Sequence, residues 1–241
     1  MKPPAEAGRH RPIRRIFTTD AGLTFFLISL FLLIFVFYPL SEPRTFSQYL
    51  LDAFAVLVMI SGVYALSDRR RLLVWCVIGL ASFSLTTQVM PYAYLNRPVL
   101  LLNNASTMLF LIAVTGAVLY RVLREGPVTS HRIQGAVAVY LMMGLIWAMA
   151  YSLVYITDPS SFDLGGAVAG KEDLAGISTN GMSRLIYFSF VTMTTLGYGD
   201  IAPKSEIANN LAILQALVGQ LYLVVIMARL VSLAITSRER E

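Results

Sequence analysis

Apolar positions along the chain gather into six long runs separated by short polar stretches. They cover residues 21–40, about 48–66, about 72–90, about 99–123, about 133–156 and about 207–235. Each is near the ~20 residues that an α-helix needs to cross ~30 Å of hydrocarbon, so the pattern predicts an all-α membrane protein with six transmembrane helices. A seventh apolar segment, Met182 to Thr194, is too short to cross. It is expected to enter the bilayer and return on the same side, or to lie at its surface.

Composition agrees with the pattern. Of 241 residues, 56% are hydrophobic and 14% charged, well below the roughly 25% charged share of soluble domains. The single cysteine, Cys76, excludes an internal disulfide framework, and in an apolar run it is expected to pack as a small hydrophobe. The first apolar run is too long, and lacks the small-residue cleavage pattern, for a signal peptide. A net charge of +5 admits nucleic acid as a partner, but the basic residues sit at the edges of apolar runs, which favours a membrane. Residues 1–20, 67–71, 121–132 and the end from Arg229 hold 14 of the 19 Lys and Arg. Positive charge marks the cytoplasmic side, so both termini are expected there, in a multi-pass protein of the plasma membrane or a bacterial inner membrane. The polar tail 1–20 is expected to touch anionic headgroups.

One stretch carries the chemistry: Thr194-Thr195-Leu196-Gly197-Tyr198-Gly199-Asp200. A cation that sheds its water needs oxygens in water's place, and rings of backbone carbonyls from several copies of one loop supply them. Such a loop must alternate ordinary with left-handed dihedrals, which Gly197 and Gly199 permit because they carry no Cβ. Thr195 would add a hydroxyl at the inner end, and the ring of Tyr198 would pack outward to hold the diameter. The stretch resembles the selectivity filter of the tetrameric potassium channels, and its placement between a short amphipathic segment and a long apolar run suits that family. The resemblance implies K+ as the permeant ion, held through Thr195, Leu196, Gly197 and Tyr198, with no other cofactor or metal. Thr194, Asp200, Tyr187, Phe188 and Val191 would support the filter; Tyr187 and Phe188 match the aromatic pair of the family's pore helix. Val191 stands where some members have a glutamate that pairs with the aspartate at Asp200. Leu196 replaces the more common valine or isoleucine.

The pore resembles those of voltage-gated and two-transmembrane bacterial potassium channels, but the sensor does not. Steep voltage gating needs several charges in the field, each worth ~2.3 kcal/mol per 100 mV. The fourth run carries only Arg121, with Arg124 beyond it, and both read as snorkelling anchors. Residues 21–124 are thus expected to form a peripheral four-helix bundle without a sensor. Residues 132–236 are expected to form the pore domain and 237–241 a short cytoplasmic tail, with no soluble ligand-gating domain after Arg229. In the sixth run Gly219 is a candidate hinge or close contact. Leu223, Met227, Val231 and Ile235, at four-residue spacing, are a candidate gate that closes by dewetting; packing against the fifth run is the rival. Gln215 and Gln220, polar at membrane depth, need partners or a wet cavity.

The connection from Thr157 to Gly181 reads as an outer turret whose Asp158, Asp163, Glu172 and Asp173 would concentrate cations. Within it, Gly165 to Lys171 imitates a phosphate-binding loop, but Glu172 stands where Ser or Thr is required. Asn104-Ala105-Ser106 imitates a glycosylation acceptor inside an apolar run. One filter stretch cannot close a ring, so a homotetramer in a lipid bilayer is expected, with neither nucleic acid nor a small-molecule substrate as partner. The reading is a passive potassium channel, not an enzyme. A weakly selective cation channel and a secondary transporter built on broken helices are the alternatives.

Overall fold

The computed structural model describes residues 24–37, 97–124, 129–165 and 180–238, together with Gly79 and Ser82. Helix α1 covers Thr24–Val36, its end widening into a π-helical turn at Leu33–Phe37. Helices α2 (Arg97–Leu123) and α3 (Ser130–Thr157) follow. After a 3-10 turn, Pro159–Ser161, comes strand β1 (Phe162–Asp163). Helix α4 (Asn180–Met193), strand β2 (Ala202–Pro203) and helix α5 (Glu206–Arg238) complete the described elements.

Three of these helices, α2, α3 and α5, are long and apolar enough to cross a membrane. They coincide with the fourth, fifth and sixth runs of the sequence. The first run is represented by the shorter α1, and the runs at 48–66 and 72–90 lie outside the described residues except for Gly79 and Ser82. Cys76 and the tail 1–20 lie outside them too. Helix α4, at 14 residues, measures about 21 Å at 1.5 Å per residue, less than the hydrocarbon thickness.

Among the described residues two larger apolar cores and one small one hold the helices together. The largest joins α1 (Phe26, Leu30, Leu33, Ile34), α2 (Phe110, Val114, Val118), α3 (Val139, Met142, Leu145), Ile186 of α4 and Ile226 of α5. The second, at the other end, gathers Tyr151, Phe162, Leu164, Leu185, Phe188, Ile201 and Ala208. Its aromatic centre is a three-ring cluster: Tyr151, Phe162 and Phe188 meet edge-on at centroid separations of 5.0–5.6 Å, the arrangement their quadrupoles favour. Leu100 packs on Ile156, so the start of α2 lies beside the end of α3, as the short connection between them requires.

Glycines set how closely the helices approach. A Cβ on Gly144 would fall 2.6 Å from the ring of Phe190, and one on Gly219 would fall 2.7 Å from Met193 Cγ. Both glycines therefore admit α4, from α3 on one side and from α5 on the other. Helix α5 is otherwise little covered. Only 17% of its most apolar stretch is buried, and its buried residues Ala208, Gln215, Gly219 and Ile226 form one seam.

Candidate functional site

Helix α4 ends at the stretch singled out in the sequence, and its ending builds the loop. The last turn of a helix leaves carbonyls without amide partners. Here the amide of Thr195 donates to Thr192 O (3.1 Å) and that of Leu196 to Val191 O (2.9 Å). These two bonds, with Thr195 at φ +60°, are the Schellman ending, in which the left-handed position is most often glycine. A β-branched residue there is a conformational outlier. Gly197 also directs its amide to Val191 O, at 3.4 Å, and Thr194 Oγ1 donates to Phe190 O at 2.7 Å.

The left-handed residues then recur at every second position: Thr195 (φ +60°), Gly197 (+57°) and Gly199 (+77°). Around both glycines there is open space where a Cβ would stand, so it is the backbone angle and not crowding that asks for glycine. All seven residues from Thr194 to Asp200 are exposed in the single chain, Tyr198 to 67%. The Tyr198 ring, expected from the sequence to pack outward and hold the diameter of the loop, is largely uncovered among the described residues.

Supporting residues surround the loop on one side. Val191 and Phe188 are buried, and Phe188 belongs to the three-ring cluster. Tyr187, more open, lies near enough to Asp200 for the carboxylate to act on its hydroxyl. This places the far end of the loop beside α4, although Val191 offers no carboxylate. Beyond Asp200, β2 pairs antiparallel with β1, Phe162 opposite Pro203 and Asp163 opposite Ala202. Lys204 Nζ lies 2.8 Å from Asp163 Oδ2, and its amide donates to Ser161 O at 2.8 Å. The Arg184 guanidinium donates to the carbonyls of Leu164 and Gly165. Gly165, at φ +73°, has Asp200 O only 3.2 Å from where a Cβ would stand.

Asp163 is partnered by Lys204, so its charge is offset, and Asp158 accepts from Ser160 N and Oγ. Lys204 and the Gly165 amide hold the Asp163 carboxyl below its ordinary range. Glu172, Asp173 and most of the Gly165–Lys171 stretch lie outside the described residues. Asn104 and Ser106 spend their side chains on α2, donating to Leu100 O and Asn103 O.

Along α5, Leu223, Met227, Val231 and Ile235 are exposed at 47–63%. Gly219 is buried against Met193, and α5 runs through it as one 33-residue helix. Gln220 is exposed, whereas Gln215 is fully buried. Its Oε1 accepts from the Tyr151 hydroxyl, and its Nε2 donates to Ser189 O (2.9 Å) and Ser189 Oγ (2.7 Å). Ser189 Oγ in turn donates to Gly144 O at 2.6 Å. The sequence marked Gln215 as a polar group in need of partners. Tyr151 and Ser189 gave no such signal, since single aromatic or hydroxyl residues in an apolar run are ordinary.

Residues 139–236 match the family model described as ion channel. The matched stretch runs from α3 through α4 and the exposed loop to the end of α5. Across 95 residues the chain is 33% identical to two-pore potassium channel 4 of Arabidopsis thaliana, covering 39% of this chain and 32% of that protein. Across 42 residues it is 43% identical to two-pore potassium channel 1 of the same plant, covering 17% of this chain and 12% of that protein. The aligned part thus spans about a third or less of the length of these relatives. The apolar helices suggest a membrane protein, and the stretch from α3 to α5 is similar to an ion channel domain. Among the described residues no cluster of His, Cys, Asp or Glu is placed to hold a metal.

Proposed function

We propose that four copies of this chain form a potassium-selective channel that passes K+ down its gradient. The observation that carries the proposal is the run of left-handed residues at 195, 197 and 199 in an exposed loop seated on a capped helix end. Alternating dihedrals bring successive carbonyls to one side of a strand, and four such strands offer K+ the oxygens that replace its hydration shell. The carbonyls of Thr195, Leu196, Gly197 and Tyr198 line this path, with the Thr195 hydroxyl at its inner end. Helix α4 is the re-entrant pore helix. Its C-terminal end, carrying a fractional negative charge, favours a cation below the filter.

Fourfold assembly is supported by what a single chain leaves open. The filter loop and most of α5 are uncovered, including Ile213, Leu217, Leu221 and Val224. The relatives' printed name speaks of two pores, whereas these 241 residues carry the Thr195–Asp200 stretch once. Within the tetramer, Tyr198 packs on a neighbouring copy, and Leu223, Met227, Val231 and Ile235 face the axis as a dewetting gate. Both termini are cytoplasmic, from the distribution of Lys and Arg, and the basic edges meet anionic lipid. Helix α2 carries arginine only near its two ends, at Arg97 and Arg121, so a charged fourth helix does not gate the pore.

The test is recording from the purified chain in planar bilayers with potassium on one side and sodium on the other. A reversal potential near that for K+ is expected. Reversal near zero would mean weak selectivity. Slow, saturating flux coupled to a second ion would mean a transporter.

A further inference from the structure

We propose that Gln215 is a positioning residue that couples the inner helix to the filter, by fixing α4 at a set height between α3 and α5. This rests on the channel reading above. Gln215, Tyr151 and Ser189 are each fully buried, and every side-chain oxygen and nitrogen among them has a partner. Tyr151 of α3 donates to Gln215 of α5; Gln215 donates twice to Ser189 of α4; Ser189 donates back to Gly144 of α3. The bonds form a closed circuit through three helices.

Apolar side chains of the same volume would hold helices together in lipid by packing alone. A polar circuit adds direction. Gln215 meets its partners at one register only, and a shift of α5 by a residue strands its amide in an apolar surrounding, where unpaired polar groups are costly. Close packing reinforces the same register, because Gly144 and Gly219 flank the circuit and admit Phe190 and Met193 of α4. Ser189 stands two residues before Val191, whose carbonyl receives the amides of Leu196 and Gly197. A displacement of α5 therefore reaches the loop along a short chain of bonds: Gln215 to Ser189, along α4 to Val191, and from Val191 O to two loop amides.

The experiment uses the purified full chain in vesicles and bilayers, comparing wild type with Gln215→Leu, Tyr151→Phe and Gln215→Glu. The readouts are the potassium-over-sodium permeability ratio, the decay of current during sustained opening, and thermal unfolding. With Gln215→Leu the ratio falls or the decay quickens about tenfold, the scale set by leaving buried partners unpaired. Tyr151→Phe, which removes one hydroxyl and preserves the fold, moves the same readouts in the same direction by about threefold. Gln215→Glu keeps both polar positions only while its carboxyl is protonated. It conducts like wild type at low pH and like Gln215→Leu at high pH. A conducting wild type whose variants change in thermal stability alone, with selectivity and decay intact, overturns the proposal while leaving the channel reading in place. A wild type that passes no potassium overturns both.

Discussion

Gly219 offers a sharp test, because hinge and contact predict opposite signs for one methyl group. If glycine served only to loosen α5, alanine would stabilise the protein by up to about 1 kcal/mol through helix propensity. In the structure the added Cβ lies 2.7 Å from Met193 Cγ and 3.2 Å from Met193 O, both inside the 3.4 Å where ordinary contact begins. The Met193 side chain is flexible but buried, and its carbonyl accepts a hydrogen bond from the Tyr140 hydroxyl at 3.3 Å. Yielding is therefore costly, on the scale of the about 1–3 kcal/mol typical of overpacking. Set against the propensity gain, Gly219→Ala is expected to be neutral to about 2 kcal/mol destabilising. Gly116, exposed on α2 with nothing within 4 Å of its Cβ position, is the control. Gly116→Ala should raise stability by about 0.5–1 kcal/mol. Thermal unfolding of the two variants in detergent, with a double-mutant cycle adding Met193→Ala, measures the contact directly. Non-additivity of at least about 0.5 kcal/mol between positions 193 and 219 is expected. A Gly219→Ala protein as stabilised as Gly116→Ala, with additive behaviour toward Met193, would refute the contact.

Alanine at Gly197 or Gly199 meets no steric neighbour but must adopt φ +57° or +77°, a cost of about 1–2 kcal/mol per residue in every copy. Potassium current should vanish while membrane insertion, followed by protease protection, is unchanged. Gly165→Ala combines φ +73° with Asp200 O at 3.2 Å, so the outer end of the loop should loosen, seen as faster amide exchange around residues 200–205. The Asp163 carboxyl is held below its ordinary range first by the Lys204 hydrogen bond and then by the Gly165 amide. Its folded-state value being depressed, the stabilisation is complete above the ordinary carboxylate range, about pH 4, and is lost as pH falls through the lowered value. Amide protection factors across β1 and β2, taken relative to intrinsic exchange at each pH, should fall below about pH 4 in wild type, and a Lys204→Met protein should show that lower protection already at neutral pH.

Much of the positioning was written in the hydrophobic pattern, because spanning length and turn chemistry are local properties. The fourth, fifth and sixth runs fall on α2, α3 and α5, and the glycines at 197 and 199 take the left-handed angles their chemistry permits. Gln215 announced itself by being polar where its neighbours are not. Which face of α3 would meet which helix was not legible, since that helix is apolar all round and no stripe distinguishes Tyr151 from Tyr155. The pairing of β1 with β2 was equally hidden. Strands of two residues carry no alternation, and their partners lie 39 or more positions apart. The left-handed turn at Thr195 runs against the preference of a β-branched residue. It arises from the helix ending that the neighbouring amides complete, which no single-residue propensity records.

That ending has a mechanical consequence. The loop does not hang from α4 by a free joint; its first amides are spent on the carbonyls of Val191 and Thr192, so its rotational phase is dictated by the helix. One residue inserted into the last turn would swing the loop's starting direction by about 100°. Chains carrying such an insertion should still enter membranes, with their oxygens turned from any common centre. A deletion at this junction should turn the loop by a similar angle in the opposite sense.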